Sequence, residues 1–149
     1  NPEDPARRLL RERERLQGQI QYARLFAESE QVEVGIDLHG EGYDFLRFRR
    51  EDRSWQSMSD DPALKARRVP GIDFDWRDAA AQGRAAPAAG TVPAAEGQRL
   101  PDLLLLSSGE ATPGVITLSS RDDPRTRALE LNITDLGDAA PAEADRGQR

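Results

Sequence analysis

Few residues of this sequence could do chemistry, and their spacing fits no common catalytic pattern. His39 is the only histidine, and its place in an alternating apolar and polar stretch predicts an exposed side chain on the polar face of a strand. The sequence SSGE at 107–110 offers hydroxyls and a carboxylate, but it lacks the G-x-S-x-G arrangement of a serine hydrolase, and no second histidine could act as its base. We therefore interpret 107–110 as a turn and predict that the chain is not an enzyme.

Metal and cofactor sites are not expected either. The acidic pairs at 60–61 and 122–123 could contribute to a calcium site, but neither lies in the spaced D-x-D-x-D-G pattern with a distal glutamate. The basic doublets at 7–8 and 67–68 are diluted by nearby acids, so we interpret them as solvated faces. No glycine-rich loop of the kind that binds phosphate follows a predicted strand. The sequence thus predicts neither a metal site nor a cofactor.

The composition limits the classes of partner. The 149 residues are the length of one domain. A formal net charge of -6 gives no electrostatic reason to expect a polyanionic partner, so nucleic acid is not expected. Cysteine is absent, which excludes disulfides, thiolate metal sites and thiol nucleophiles. No apolar run approaches the ~20 residues that span a bilayer, so we expect a protein that is soluble throughout or one from which an N-terminal segment has been removed.

The first structural element that the sequence predicts is a long helix within residues 1–30. Prolines near its start suit the first turn of a helix, and the helical pattern then runs without proline to about Ser29. In its back half, apolar residues fall on one stripe that should form the core between helix and sheet. They are Leu16, Ile20, Ala23 and Ala27.

The front half of this helix is highly charged and reads RRLLRERER. It places Glu12 and Arg13 on the same stripe, beside Leu9. Because a globular domain rarely covers such charges, we expect the front of the helix to project beyond the body of the domain.

From residue 31 the hydrophobic period changes from 3.6 to 2, which indicates strands. Apolar and polar residues alternate through QVEVGIDLH, GEG supplies a turn and YDFLRFRR returns, so residues 31–50 are predicted to form a β-hairpin. Later apolar stretches predict further strands at 72–76, 103–106, 115–119 and 128–133. Residues 31–137 should therefore fold as an antiparallel β domain against the helix, which gives an α+β protein.

Two stretches are too poor in large apolar side chains to be held by packing. Residues 79–99 consist mostly of Ala, Gly and Pro, and we predict that they form a mobile loop. Residues 138–149 are predicted to be a disordered tail for the same reason.

Four features in order give the chain a family resemblance. They are a helix with A-R leading into a strand, a G-Y-x-F hairpin, a tryptophan followed by DDPAL, and a late apolar strand ending in GEATP. Over residues 7–133 the chain resembles the periplasmic part of a type II secretion minor pseudopilin of the H class, in the broader GspH/FimT-like group. The resemblance implies the type IV pilin-like pseudopilin fold, with a long N-terminal helix packed on antiparallel β-sheets.

The resemblance also implies a structural role. Such a protein assembles near the tip of the periplasmic pseudopilus with other pseudopilins, major and minor, and supports export of folded proteins across the outer membrane. It is processed by prepilin peptidase and anchored in the inner membrane of a Gram-negative bacterium by a hydrophobic helix that this chain lacks. The charged front half would then be the middle of one longer helix.

A second hypothesis from the same group is a type IV pilus minor pilin (FimT-like) that binds DNA during uptake. A DNA-binding member should present a coherent basic stripe, because nucleic-acid binding depends on lysine and arginine at phosphates. Here the chain is acidic, and its arginines alternate with Asp and Glu. The structural role is therefore favoured.

Under this resemblance, the charged part of the helix becomes a candidate partner interface. Its arginines and adjoining leucines would contact neighbouring pseudopilins, where charge complementarity sets register more than affinity. The alternative is that this segment is only a solvated spacer. The residues are Leu9, Leu10, Arg11, Arg13 and Arg15.

Overall fold

One long helix and two antiparallel sheets make up residues 3–80 and 99–142, the part of the chain that the computed structural model describes. Helix α1 spans Pro5–Glu30, and a short 3-10 turn lies at Pro62–Leu64. Among the described residues, no helix combines the length and the apolar character that crossing a membrane requires. The strands are β1 (Val34–His39), β2 (Gly42–Arg49), β3 (Ser54–Ser57), β4 (Arg67–Arg68), β5 (Ile72–Asp78), β6 (Leu103–Leu105), β7 (Gly114–Ser120), β8 (Leu129–Ile133) and β9 (Ala139–Pro141).

The first sheet has the strand order β3-β2-β1-β6, with β4 paired to the start of β2, and the second has the order β5-β7-β8-β9. Every pairing between these strands is antiparallel. The register places Ile36 opposite Phe45 in the first sheet and Ile116 opposite Leu131 in the second. All four side chains belong to one buried cluster with the helix. The predicted fold class, a long N-terminal helix packed on antiparallel sheets, is confirmed.

The ends of α1 follow from local chemistry. Pro5 occupies the first turn, where its missing N–H costs nothing because that group has no partner within a helix. At the other end Gln31 takes the left-handed conformation, with a φ of 54°. The N–H of Val32 then donates to the carbonyl of Ala27 at 3.1 Å, which closes the last turn and turns the chain toward β1.

The apolar stripe on the back half of α1 lies in the centre of the core. Its four side chains are fully buried and share one cluster with residues of both sheets. Removing such side chains from water at ~25 cal/mol per Å² is the main force that holds the helix in place. The stripe consists of Leu16, Ile20, Ala23 and Ala27.

Two boundary predictions need correction. The predicted tail at 138–149 is wrong at its start, because β9 pairs with β8 and Ala139 is 5% exposed. In the predicted loop at 79–99, Ala79 is also buried, and its N–H donates to the carbonyl of Pro113 at 2.9 Å. Residues 81–98 and 143–149, which hold the rest of both stretches, lie outside the described residues.

The expectation that the front of the helix projects from the domain is wrong. Leu9 is 1% exposed, Glu12 3% and Arg13 9%. The prediction failed because it assumed that nothing in the domain could satisfy these charges. Arg67 of β4 and a backbone carbonyl of β8 do so, and the helix is covered on one side along nearly its whole length.

Replacing Ile20 by Asp should bury an unpaired charge beneath the helix and destabilise the domain by several kcal/mol. Leu25 is 63% exposed on the same helix, so Leu25→Asp should cost less than about 1 kcal/mol, mainly in helix propensity. Urea denaturation of the two variants measures the difference. Equal stability of the two variants, or an Ile20→Asp protein that melts at the wild-type temperature, would contradict the assigned core.

Candidate assembly surface

The residues considered for catalysis or metal binding have local structural partners. His39 is exposed, and its Nε2 lies 3.1 Å from a carboxylate oxygen of Asp44 on the neighbouring strand. The SSGE sequence forms a tight turn, in which Gly109 has a φ of 97° and its N–H donates to the carbonyl of Leu106 at 2.9 Å. Within residues 3–80 and 99–142, no group of three His, Asp or Glu side chains is arranged to hold a metal ion.

The two acidic pairs close turns. A carboxylate oxygen of Asp61 accepts the N–H of Ala63 at 2.9 Å at the start of the 3-10 turn. Asp123 accepts the N–H of Arg125 at 3.2 Å and the hydroxyl of Thr126 at 2.9 Å. Such side-chain bonds to nearby groups are what aspartates commonly make in turns.

The remaining candidate is the exposed surface of α1. Two rows of polar contacts, one on each side of the apolar stripe, fix which face of α1 points outward. The first row binds the segment between β3 and β5. It consists of Arg8 to the carbonyl of Pro70 (2.6 Å), Glu12 to Arg67 (3.0 Å), Gln19 to the carbonyl of Ala63 (2.9 Å) and Tyr22 to Asp61 (3.1 Å).

The ion pair between Glu12 and Arg67 is the most buried of these contacts. Both carboxylate oxygens accept from Nη2 of Arg67 at 3.0 Å, and one also accepts from its Nε at 3.2 Å. The side chain of Glu12 is 4% exposed and that of Arg67 is 28% exposed. The sequence interpretation of Arg67 as part of a solvated doublet is thus wrong. The missed signal was the carboxylate on the apolar stripe, since a buried carboxylate needs a cation.

Tyr43 lies beside this pair and ties the helix to β2. Its hydroxyl donates to the side-chain oxygen of Gln19 at 2.6 Å, and its ring packs edge to face against Phe45 and Phe74. Burial raises the pKa of Tyr43 to about 12, and the positive charge of Arg67 opposes that rise. Farther along the helix, the hydrogen bond from Tyr22 to Asp61 raises the pKa of the Tyr22 hydroxyl.

The second row of polar contacts binds the opposite side of the helix to β8, β9 and the turn between them. In this row, side chains of the helix donate hydrogen bonds to backbone carbonyls or to a carboxylate. They are Arg13 to the carbonyl of Glu130 (3.1 Å), Gln17 to the carbonyl of Ala139 (2.7 Å) and Arg24 to Asp138 (2.9 Å). With a row on each side of the apolar stripe, the helix cannot rotate without breaking contacts to both sheets or their loops.

The remaining face of α1 points away from the domain and mixes apolar, charged and small residues. Leu10 is 50% exposed and Leu25 is 63% exposed. Between them lies Gly18, where an added Cβ atom would meet nothing within 4 Å. A glycine in a helix interior costs about 1 kcal/mol relative to alanine, and nothing in the described part of this domain requires one here.

Two exposed arginines border this face and also touch the domain, since Arg11 pairs with Glu3 and lies 3.7 Å from Glu12, and Arg15 hydrogen-bonds the hydroxyl of Tyr43. We name the outward face with its borders, comprising Leu10, Arg11, Arg15, Gly18 and Leu25, the helix surface.

The candidate interface residues named from the sequence divide into two groups. Leu10, Arg11 and Arg15 are exposed on the helix surface. Leu9 and Arg13 are instead buried against the domain, so they are not available to a partner in this structure. Gly18 is not among the residues predicted from the sequence, because the sequence could not show that an added Cβ atom at this position has no neighbour within 4 Å.

Breaking the buried pair should be costly. Glu12→Gln removes the carboxylate and leaves Arg67 partly buried without its counter-ion, which should destabilise the domain by about 2 to 3 kcal/mol. The matched control is Glu14→Gln, an exposed position on the same helix, for which about 0.5 kcal/mol or less is expected. Urea denaturation measures both values, and similar stabilities would show that the pair does not hold the helix.

Tyr43 should make the domain sensitive to alkali. Its pKa is about 12 when folded and ~10 in an unfolded chain, so the unfolded chain releases this proton first as the pH rises. The stability linked to this proton is complete below about pH 10 and falls by roughly 2 to 3 kcal/mol toward pH 12. Tyr43→Phe should lack this loss. Urea unfolding at about pH 8, 10 and 11.5 tests it, and parallel pH profiles of the two proteins would refute it.

Comparison with known proteins assigns this architecture to a family. The family model for type II transport protein GspH matches residues 12–135. A relative described as type II secretion system protein H of Aeromonas hydrophila is 25% identical in an alignment of 129 residues, which covers 78% of this chain and 65% of that protein. This chain therefore spans somewhat less than two thirds of the length of that relative.

Two solved structures share the fold, and both are of the minor pseudopilin EpsH from the type II secretion system of Vibrio cholerae. One has a TM-score of 0.67 at 15% identity and covers 93% of this chain and 97% of that one. The other has a TM-score of 0.64 at 17% identity and covers 89% and 93%. At these identities the likeness establishes the fold alone.

The family model begins within α1, before the end of its charged front half, and ends just after β8. It includes the first row of polar contacts except Arg8. Of the second row only the contact between Arg13 and Glu130 lies wholly within the match, because Asp138 and Ala139 follow residue 135. The resemblance inferred from the order of the sequence motifs is confirmed. Because the match extends over most of its length, the chain belongs to the family of type II transport protein GspH.

Proposed function

We propose that this chain is the periplasmic domain of a structural subunit of the type II secretion pseudopilus and that it works by docking against other pseudopilins. Its family and the names of its relatives support a role in type II secretion. The observation that carries the docking part is the helix surface, which the domain leaves uncovered although two rows of contacts hold the helix in one rotation. The DNA-uptake alternative is not favoured by these relatives.

In this proposal the helix surface is where neighbouring subunits pack. Leu10 and Leu25 offer apolar area at two levels of the helix, and Gly18 between them lets another backbone approach closely. Arg11 and Arg15 lie on the same face and would set the register of the contact through charge complementarity. Leu9 and Arg13 are not part of this revised interface.

The proposal also includes the setting of the full-length protein. Its helix would continue on the N-terminal side into a hydrophobic segment anchored in the inner membrane, after processing of the precursor by prepilin peptidase. The greater length of the Aeromonas hydrophila relative leaves room for such a segment. A place near the tip of the pseudopilus, where major and minor pseudopilins meet, would follow from membership of the minor class.

Substitutions at Gly18 separate assembly from folding. Gly18→Leu should stabilise the isolated domain by about 0.8 kcal/mol, because leucine is the better helix former and has space here. In the full-length protein it should nevertheless reduce secretion strongly, since the new side chain blocks a close neighbour. Thermal melting and the amount of a secreted protein in the culture medium measure the two effects.

Two further variants make this test graded. Gly18→Ala should stabilise the domain in the same way but impair secretion less, because it adds only one methyl group. Arg11→Glu removes the ion pair with Glu3 and places a carboxylate near Glu12, so it should lower the stability of the domain by about 1 kcal/mol, and it should impair secretion through the loss of charge complementarity. Normal secretion by Gly18→Leu and Arg11→Glu at normal abundance would show that the helix surface is only a solvated spacer.

A further inference from the structure

One side of α1 carries complementary features at the two ends of the helix. It is the side that the second row of polar contacts binds to β8, β9 and the turn between them. A cleft lies beside the front half of the helix, and an exposed leucine on the turn lies beside the back half. The shapes and the charges of these two features fit each other.

The cleft at the front is an open space of about 500 Å³ between α1 and β9. Its apolar lining includes Leu10 and Pro141. Arg11 is paired with Glu3, whereas the described residues include no carboxylate within 4.0 Å of the guanidinium of Arg7. The charged lining has a net charge of +1 and consists of Arg7, Arg11, Arg13, Glu3 and Glu14.

Leu136 is the exposed leucine at the back, and a tight turn holds it in place. It is 69% exposed. The N–H of Gly137 donates to the carbonyl of Thr134, and the N–H of Thr134 donates to the carbonyl of Asp138, both at 3.0 Å. Arg24 of α1 binds this turn through the carboxylate of Asp138 at 2.9 Å. An apolar side chain that is held in this way loses little conformational entropy when a partner covers it.

The surroundings of Leu136 are acidic. The turn at 107–110 meets the end of α1 here, because a Cβ atom added to Gly109 would lie 3.9 Å from a carboxylate oxygen of Glu28. Four exposed carboxylates belong to this region, and among the described residues Arg24 is the only cation within 4.0 Å of any of them. The four are Glu28, Glu110, Asp135 and Asp138. We name them, together with Leu136, the acidic corner.

The spacing of the two features makes this side of the domain self-complementary. The cleft lies at the level of Leu10, and the acidic corner lies near the level of Leu25, about 22 Å farther along the helix. In an antiparallel pair of copies with a two-fold axis near Gly18, the corner of each copy meets the cleft of the other. Every contact is then made twice, as in the two-fold dimers that are the commonest oligomers.

We propose that a second copy of this chain docks on this side of the domain and forms an antiparallel dimer. Leu136 of each copy enters the cleft beside Leu10 of the other, and Arg7 lies near the partner's acidic corner. The charges select the direction, because a parallel dimer would place the two acidic corners against each other. Gly18 at the axis lets the two helices approach closely.

The dimer has a consequence for the helix surface. It covers Leu10, Gly18 and Leu25, so one domain cannot bind a second copy and another pseudopilin through this face at the same time. The inference does not rest on the proposed function, since both halves of the contact belong to this chain.

Sedimentation equilibrium of the 149-residue chain measures the self-association. We expect a monomer–dimer equilibrium with a dissociation constant on the order of 100 μM, as suits a small contact, and weaker association at high salt. Leu136→Ser should weaken the dimer without changing the charge. A protein that stays monomeric at about 1 mM, tenfold above that constant, would overturn the proposal.

Exchange of charges tests whether the cleft and the corner meet. Arg7→Glu and Asp135→Arg should each weaken self-association by about fivefold or more, whereas an equimolar mixture of the two variants should form a 1:1 dimer. In that mixture each cleft again faces a corner of opposite charge. Arg50→Glu makes the same change in charge at an exposed site on the β2–β3 hairpin and should dimerise like the wild type. A mixture that stays monomeric, or an equal effect of Arg50→Glu, would refute the pairing.

Spin labels determine the direction of the two helices. The chain has no cysteine, so one introduced cysteine carries one nitroxide. In the dimer, labels at exposed Gln21, near the axis, should lie about 15 to 25 Å apart, and labels at exposed Ala6 about 35 Å or more. Electron–electron resonance measures both distances. Short distances at both positions would mean a parallel dimer, and long distances at both would mean a contact elsewhere, and either result refutes the proposal.

Discussion

The rotation of the N-terminal helix is the constraint on which the rest of this structure depends. An apolar stripe alone would allow the helix to roll by some tens of degrees over an apolar surface, because hydrophobic burial has no direction. The Glu12 to Arg67 pair on one side and the Arg13 contact with β8 on the other remove that freedom. Buried ion pairs add little net stability over apolar residues, so their value here lies in fixing one orientation.

A fixed orientation gives the helix surface a defined relation to the rest of the domain. The helix that carries this surface is joined to both sheets by the buried cluster and by the two rows of polar contacts. A subunit that is bound on one face and binds its neighbour with another must hold both faces at a constant angle. Small errors in that angle would add up along a fibre, whereas a single binary complex could tolerate them.

Several parts of this architecture could be predicted from sequence. Apolar residues recur with the period of a helix in the stripe through Leu16 and Ile20, and with the period of a strand in the hairpin at 31–50. Such local patterns can be recognised in the sequence alone. The predictions failed for residues whose environment depends on partners that are distant in the sequence. Arg67 looks like any solvated arginine until the fold brings it to Glu12, 55 residues away in the sequence. Residues Ala139–Pro141 contain no strong strand former and become a strand only because β8 and Gln17 offer them partners.

The position of β9 at the margin of the second sheet has a consequence for subunits that are packed at high local density. An open sheet margin is a template for the addition of strands from other molecules, the route to irreversible aggregates. Here the carbonyl of Ala139 is occupied by the amide of Gln17, and Pro141 has no N–H to offer. The margin is thus a poor template. At this margin, crowded copies of the domain are left with contacts through side chains, which unlike added strands can be undone and repeated.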